Sequence, residues 1–161
     1  MHTKEEFIQQ IKENEGIIYK VSRLYTNSAE DQKDVYQDIV YQLWKSYPSF
    51  KKNSKMSTWM YRVALNTAIS NLKKEKRKGT RVSIDHVLFN KMDPVDTVME
   101  ERITLLYAHI KKLSIVEKGI ILLYLEGKNY DEIAAITGFT TTNVGTRLAR
   151  IKQKLKSQIK K

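Results

Sequence analysis

Apolar residues recur at helical spacing along almost the whole 161-residue sequence, and the alternation typical of a half-buried strand is nearly absent. The first helical stretch runs from about Thr3 to Tyr25. Ser28 can cap the next helix, with Asp31 three residues on, and Pro48 stops it. The pattern predicts an all-α protein.

Two further helices of the first half have recognisable buried faces. The helix after Ser28 places its apolar side chains on one face: Val35, Ile39, Val40, Leu43 and Trp44. Residues 47–57 predict a loop, after which Ser57 can cap a third helix from Thr58 to about Lys78. The expected buried stripe of that helix comprises Trp59, Val63, Ala64, Ala68 and Leu72.

The helical period is lost over residues 79–94, which predicts a linker. It separates a front domain, residues 1–78, from a back domain, residues 95–161. The back domain should open with a helix from about Val95 to Leu113. Its later helix ends carry recognisable signals, namely the capping boxes Ser114/Glu117 and Asn129/Glu132, the terminal glycines Gly127 and Gly138, and the cap Thr140. We therefore expect two small helical domains joined by a linker.

Residues 130–149 have the spacing of a helix-turn-helix. Ala134 supplies the small residue where the two helices cross, and Gly138 tolerates the positive φ of the turn. Val144 and Leu148 supply the apolar contacts that pack the second helix back. The plain alternative is an ordinary helical hairpin, but residues 146–161 hold seven basic residues and no acidic one, which favours an anionic partner.

If this last helix enters a major groove, its N-terminal side chains meet base edges. Those side chains are Thr141, Thr142, Asn143 and Thr146, while Arg147 could reach a base or a phosphate. Arg150, Lys152 and Lys154 lie further along and are expected to contact phosphate. Gly145 inside the helix either permits close approach to the DNA backbone or is tolerated without a role, and the sequence favours neither.

Charge is segregated in the front half as well. Residues 31–44 hold three acids and one base, whereas residues 45–81 hold eleven basic residues and one acid. The acidic helix, with Tyr36, Tyr41 and Trp44, is typical of a protein-docking surface. The basic stretch is interleaved with Tyr47, Phe50, Trp59 and Tyr61, which suits single-stranded DNA, although these aromatic residues could equally be core. We expect Trp59 to be core and leave Phe50 and Tyr61 open.

Composition excludes several other classes of protein. The net charge of +11 points to nucleic acid or a membrane surface as the partner. The absence of cysteine rules out disulfides and cysteine-ligated metal, and the three histidines lack metal-ligand spacing. No phosphate-binding glycine loop is present, so we expect no enzyme, metal or cofactor. The N-terminus is polar and the longest apolar run is Ile120 to Leu125, so we expect a cytoplasmic protein without membrane insertion.

Three segments, in this order, resemble the extracytoplasmic-function (group IV) sigma factors. DQKDVYQDIVYQLWKSY, from Asp31, resembles their region 2.2, and FKKNSKMSTWMYRVALNTAISNLKKEKR, from Phe50, resembles regions 2.3 and 2.4. LSIVEKGIILLYLEGKNYDEIAAITGFTTTNVGTRLARIKQKL, from Leu113, resembles region 4. The resemblance implies a sigma factor that binds core RNA polymerase through the β′ clamp helices and the β flap, and that recognises promoter DNA. Whether an anti-sigma factor also binds the chain is left open.

The resemblance also implies roles for particular residues. Those matching the face that docks on the β′ clamp helices are Asp34, Gln37, Asp38, Leu43 and Trp44. The loop from Phe50 to Met56 matches the one that captures a base flipped out of the −10 element. The implied −10 contacts are Phe50, Lys51, Lys52, Asn53, Tyr61, Arg62, Asn66 and Lys73. The implied −35 contacts are Thr141, Thr142, Asn143, Thr146, Arg147, Arg150 and Lys154.

A conventional helix-turn-helix regulator with a sensory front domain is the alternative function. Such a regulator binds duplex DNA specifically on its own, whereas a sigma factor binds DNA weakly alone and strongly with core polymerase. The acidic docking helix and the basic aromatic loop favour the sigma factor.

Overall fold

The computed structural model describes residues 3–50, 55–77 and 97–159. The chain divides into two compact units, with the boundary between Asn90 and Lys91, inside the predicted linker. The described residues form α-helices and one short 3-10 turn and include no strand, so the all-α prediction is confirmed for them. The linker residues 79–94 lie outside the described residues.

Among the described residues, the front unit contains four helices. They are α1 (Lys4–Glu13), α2 (Glu15–Leu24), α3 (Ala29–Ser46) and α4 (Met56–Arg77), with the 3-10 turn at Tyr47–Ser49 between the last two. Helices α2, α3 and α4 pack against one another. Their fully buried side chains include Ile18, Leu24, Ile39, Leu43 and Met60. The apolar core of this unit holds the acidic α3 and the basic α4 side by side.

Two helix boundaries in the front unit differ from the prediction. The single stretch expected from Thr3 to Tyr25 is two helices, because the chain leaves helical geometry at Asn14. The Asn14 side-chain amide donates to the Gln10 carbonyl oxygen at 2.9 Å, a local bond that competes with helix continuation. Helix α4 begins at Met56, so Ser57 lies inside its first turn and is not its cap, while Ser28 caps α3 as predicted.

The back unit contains the remaining four described helices. They are α5 (Thr97–Ile110), α6 (Ile115–Leu125), α7 (Tyr130–Thr137) and α8 (Thr141–Ile159). Helix α8 packs against each of the other three and buries Val144, Leu148, Ile151 and Leu155. Helix α5 ends three residues before the predicted Leu113, which instead follows in a turn that leads to the capping residue Ser114.

The predicted end signals of α6 and α7 are confirmed. The Ser114 and Glu117 side chains each bond the other's backbone N–H, and Asn129 and Glu132 do the same. After α6, the N–H groups of Gly127 and Lys128 donate back to the last turn, with Gly127 at a φ of +85°. Within the described ranges, no helix is long and apolar enough to span a membrane.

Candidate nucleic-acid and protein interfaces

Helices α7 and α8 form the helix-turn-helix that the spacing predicts. Gly138 has a φ of +87°, and its N–H donates to the Ala134 carbonyl oxygen at 2.8 Å. Only glycine adopts this left-handed turn readily, so the direction in which α8 leaves α7 depends on it. Val144 and Leu148 are completely buried where α8 packs back. The face of α8 that packs against the rest of the motif is therefore fully buried.

The N-terminus of α8 is tied to the rest of the motif by threonines. The Thr140 hydroxyl accepts from the Asn143 N–H at 3.1 Å, which confirms it as the cap. The Thr141 hydroxyl donates to the Asp131 carboxylate of α7 at 3.0 Å. Thr142 and Thr146 are exposed one turn apart, and the Thr146 hydroxyl donates to the Thr142 carbonyl oxygen at 3.2 Å. The predicted base-reading positions thus lie on a fixed and exposed helix start.

Arg147 is held by two neighbours. Its Nε donates to the Asn143 side-chain oxygen at 2.6 Å, and its guanidinium carbon lies 4.4 Å from the centre of the Phe139 ring. Asn143 and Arg147 are one helical turn apart, the spacing at which side chains meet. Phe139 directly follows the turn glycine Gly138. Phe139 is not among the predicted site residues, although its place beside the turn is visible in the sequence.

The three cations predicted to contact phosphate differ in their surroundings. Arg150 is exposed on α8. The Lys152 ammonium lies 4.1 Å from the centre of the Tyr124 ring, and a hydrogen bond with Tyr124 raises the pKa of this lysine, so it stays charged. The Lys154 ammonium lies 2.7 Å from the Glu117 carboxylate of α6. Lys154 therefore joins α8 to α6 in this structure, and its contact with phosphate stays a prediction.

Gly145 lies against a tyrosine of the preceding helix. A Cβ added at Gly145 would be 3.3 Å from Cε2 and 3.7 Å from Cδ2 of Tyr130. From the sequence we considered that Gly145 permits close approach to the DNA backbone or has no role, and neither explanation includes this contact. The glycine leaves room for the Tyr130 ring, and no local pattern signals this because the two residues meet only when α7 and α8 pack.

The predicted protein-docking face on α3 is mostly exposed. Asp34 and Gln37 are exposed, and the exposed Asp38 carboxylate accepts from the Asn71 side-chain amide of α4 at 2.7 Å. Trp44 keeps 44% of its surface exposed although its ring centre is 5.0 Å from that of Phe7 in α1. Leu43, in contrast, is completely buried in the core, so in this structure it is not available for the direct contact with core polymerase that the resemblance implies.

The aromatic residues of the basic stretch form part of the core. Tyr47, Phe50, Trp59 and Tyr61 are all buried, and the ring centres of Phe50 and Trp59 are 4.9 Å apart. The prediction that Trp59 is a core residue is confirmed. Phe50 and Tyr61 are buried as well. The Phe50 ring packs with those of Tyr47 and Trp59 in an aromatic cluster between the 3-10 turn and α4. In this structure they are not available to stack on bases.

The remaining predicted −10 residues divide into two groups. On α4, Asn66 and Lys73 are exposed and Arg62 is half-buried. Their positions differ by four and seven residues, so they lie along one face of the helix. Lys51, Lys52 and Asn53 lie outside the described residues. Among the residues that are described, no group of three or more histidines, aspartates or glutamates could hold a metal ion.

Two family models match the chain, one in each unit. Sigma-70 region 2 matches residues 10–78, and Sigma-70, region 4, matches residues 103–155. The chain is 27% identical to RNA polymerase sigma factor SigV of Bacillus subtilis over 162 aligned positions, covering 99% of this chain and 94% of the relative. It is 28% identical over 154 positions to the ECF RNA polymerase sigma-E factor of Haemophilus influenzae, covering 87% and 82%.

Two complexes are among the solved structures that share the fold. The sigma factor RpoE of Bartonella quintana, in complex with the anti-sigma factor NepR, matches with a TM-score of 0.74 at 19% identity, covering 97% of this chain and 98% of that one. CnrH, in complex with the cytosolic domain of CnrY, matches with a TM-score of 0.71 at 18% identity, covering 98% and 90%. At these identities the matches establish the fold alone.

Fold and site together define a two-domain helical DNA-binding protein whose second unit carries a helix-turn-helix. The chain belongs to the sigma-70 family, in its extracytoplasmic-function group. It is an alternative sigma factor, a subunit that binds core RNA polymerase and promoter DNA and directs the initiation of transcription. The resemblance carried by the three sequence segments is confirmed.

Proposed function

We propose that the two units divide promoter recognition between them, the front unit binding core polymerase and the −10 element and the back unit reading the −35 element. The observation that carries this proposal is the start of α8. The side chains of Thr142, Asn143 and Thr146 are exposed there, on the second helix of the helix-turn-helix. The rest of α8 is basic and contains no acidic residue. That combination suits a helix whose first turns meet bases and whose later turns follow phosphates.

The docking site for core polymerase is proposed to be the exposed face of α3. Asp34, Gln37 and Asp38 provide polar and acidic groups, and the exposed part of Trp44 provides an aromatic anchor. Exposed aromatic side chains are typical of the centres of protein interfaces, and polar and charged groups are typical of their rims. Leu43 contributes indirectly, as the core residue that holds this stretch of α3 in place.

The −10 contacts are proposed to come from α4 and from the loop before it. Arg62, Asn66 and Lys73 share one face of α4, where two cations and an amide suit a DNA backbone and base edges. The loop residues Lys51, Lys52 and Asn53 remain our prediction for the pocket that takes a flipped base. Phe50 and Tyr61 would contribute indirectly, as buried core residues of the front unit.

The wider setting follows from this assignment. The chain is proposed to act by binding and not by catalysis, and to work in the cytoplasm with the transcription machinery. One of the solved structures that share the fold, the sigma factor RpoE, is in complex with the anti-sigma factor NepR. We therefore include an anti-sigma factor among the proposed partners of this chain.

In vitro transcription with purified core polymerase and a promoter library randomised across both elements tests the proposal. We expect specific transcripts only when the chain is added, with conserved bases in two separated blocks. Asp34→Lys should lower all transcripts together, whereas Asn66→Ala should change selection only in the −10 block. Selection confined to one block, or transcripts that do not depend on the chain, would contradict the proposal.

A further inference from the structure

We infer that Arg147 reads a guanine of the −35 element, and that Asn143 and Phe139 act as positioning residues that hold its guanidinium for this contact. The inference rests on the proposed function of α8 as the −35 reader. It assigns roles within that helix that neither the sequence nor the family assignment distinguishes, and it removes Asn143 from the residues that read a base directly.

The hydrogen bond between the two side chains suits different roles for them. An asparagine recognises adenine with two bonds, in which its side-chain oxygen accepts and its amide donates. In this structure the Asn143 oxygen accepts from Arg147 Nε at 2.6 Å, which occupies one of its two lone pairs. The bond also fixes the orientation of the Asn143 amide toward Arg147, which suits a positioning role.

The same bond leaves Arg147 with the groups that guanine requires. With Nε engaged, its two terminal nitrogens remain as parallel donors at the end of a planar group. Guanine presents two adjacent acceptors, O6 and N7, in the major groove, and a bidentate arginine is the commonest specific contact to them. No other base pair offers two acceptors of one base in this arrangement, so a contact made by the two terminal donors of Arg147 selects guanine.

Phe139 restrains the guanidinium from its other side. The guanidinium carbon lies 4.4 Å from the centre of the ring, within the range of a cation–π contact. Phe139 directly follows Gly138 in the chain. The positive φ of Gly138 sets the course of the backbone at this turn and thereby the position of the Phe139 ring. A long side chain that is ordered before binding loses less conformational freedom when it docks, so both contacts should strengthen discrimination.

The inference is tested with holoenzyme reconstituted from core polymerase and the full chain, by selection from a library randomised across the −35 element. Arg147→Lys keeps the charge but loses the planar pair of donors. We expect it to reduce the preference for guanine at one position by about 5- to 150-fold. Asn143→Ala and Phe139→Leu should each reduce the preference at that same position by about 2- to 12-fold.

Two further variants make the test specific. In an Arg147→Lys background, Asn143→Ala should cause no further loss of the preference for guanine, because Asn143 acts through Arg147. Gln153→Ala, at an exposed position of the same helix to which no DNA contact is assigned, is the matched control and should change no base preference. If Phe139→Leu unfolds the back unit, Asn143→Ala still decides the question, since Asn143 is exposed.

Four results would overturn the inference. Asn143→Ala could alter preference at a different position, which would make it an independent reader, or leave every preference unchanged, which would remove its positioning role. Arg147→Lys could weaken all sequences alike, which would make Arg147 a phosphate contact. A wild-type holoenzyme that selects no −35 sequence would overturn the proposed function as well, and is distinguishable from the other three outcomes.

Discussion

Replacing Gly145 by alanine sets two effects of known size against each other. In a helix interior, alanine is more favourable than glycine by about 1 kcal/mol. The new Cβ would lie 3.3 Å from Cε2 of Tyr130, so the ring must move by a few tenths of an ångström. Because the ring is 41% exposed, it can move by rotating far less than the 30° that costs about 0.5–1.5 kcal/mol.

The gain from helix propensity should therefore exceed the cost of moving the ring. We expect Gly145→Ala to stabilise the back unit by about 0.5–1 kcal/mol, which raises its Tm by about 2–8 °C for a unit of this size. Calorimetry of the full chain measures this directly. Ala149→Gly is the matched control, since Ala149 is exposed in the same helix, and it should cost about 1 kcal/mol.

The two variants together isolate the contribution of Tyr130. The gain at residue 145 should be smaller than the loss at residue 149 by the cost of moving the ring. A fall in the Tm for Gly145→Ala, with the expected fall for Ala149→Gly, would refute the reasoning and show that the ring cannot yield. A stabilised variant that has lost promoter affinity would show that close approach of DNA also requires the glycine.

Three further outcomes follow from the structure. Asp34→Lys should weaken the complex with core polymerase by about 2–5 kcal/mol in a titration, whereas Glu30→Lys on the same helix should not. Equal affinities of the two variants for core polymerase would exclude the proposed docking face of α3. Grafting a different sequence at residues 51–54 should change −10 preference in a promoter library and spare −35 preference. Lys154→Met should lower the free energy of unfolding by less than about 1 kcal/mol in a denaturant titration at neutral pH, because the ion pair with Glu117 is partly exposed. A larger loss would contradict the minor contribution expected of this ion pair.

The same ion pair predicts a dependence on pH. Burial raises the pKa of Glu117, but hydrogen bonds from Lys154 and Ser114 outweigh burial and leave this pKa lowered. A lowered folded pKa means that the stabilisation is present above the unfolded pKa and is lost as the pH falls through the folded value. Lys154→Met should reduce this acid-dependent loss of the back unit's stability, and an unchanged pH profile by calorimetry would contradict the assignment.

Local signals in the sequence predicted much of the back unit. Capping boxes and the turn glycine are interactions between residues within a few positions of one another, so spacing alone reveals them. The small residue Ala134 and the apolar Val144 likewise follow from helical period. The helix-turn-helix and its exposed first turn are therefore predictable from the sequence alone.

Contacts between distant segments could not be predicted in the same way. The bond from Asn71 to Asp38 joins residues 33 apart, and that from Lys154 to Glu117 joins residues 37 apart. The burial of Phe50 could not be predicted for a related reason, since a basic aromatic stretch has the same composition whether its rings face bases or each other. Only packing decides such cases, and here it buries the rings.

The most direct test of the central claim compares promoter binding by the free chain and by its complex with core polymerase. A promoter recovered from the library is titrated at one fixed salt concentration, with variants of each element as competitors. The account predicts weak and unselective binding by the free chain, and tight binding that depends on both elements once core polymerase is present. Equally tight and selective duplex binding by the free chain would contradict it.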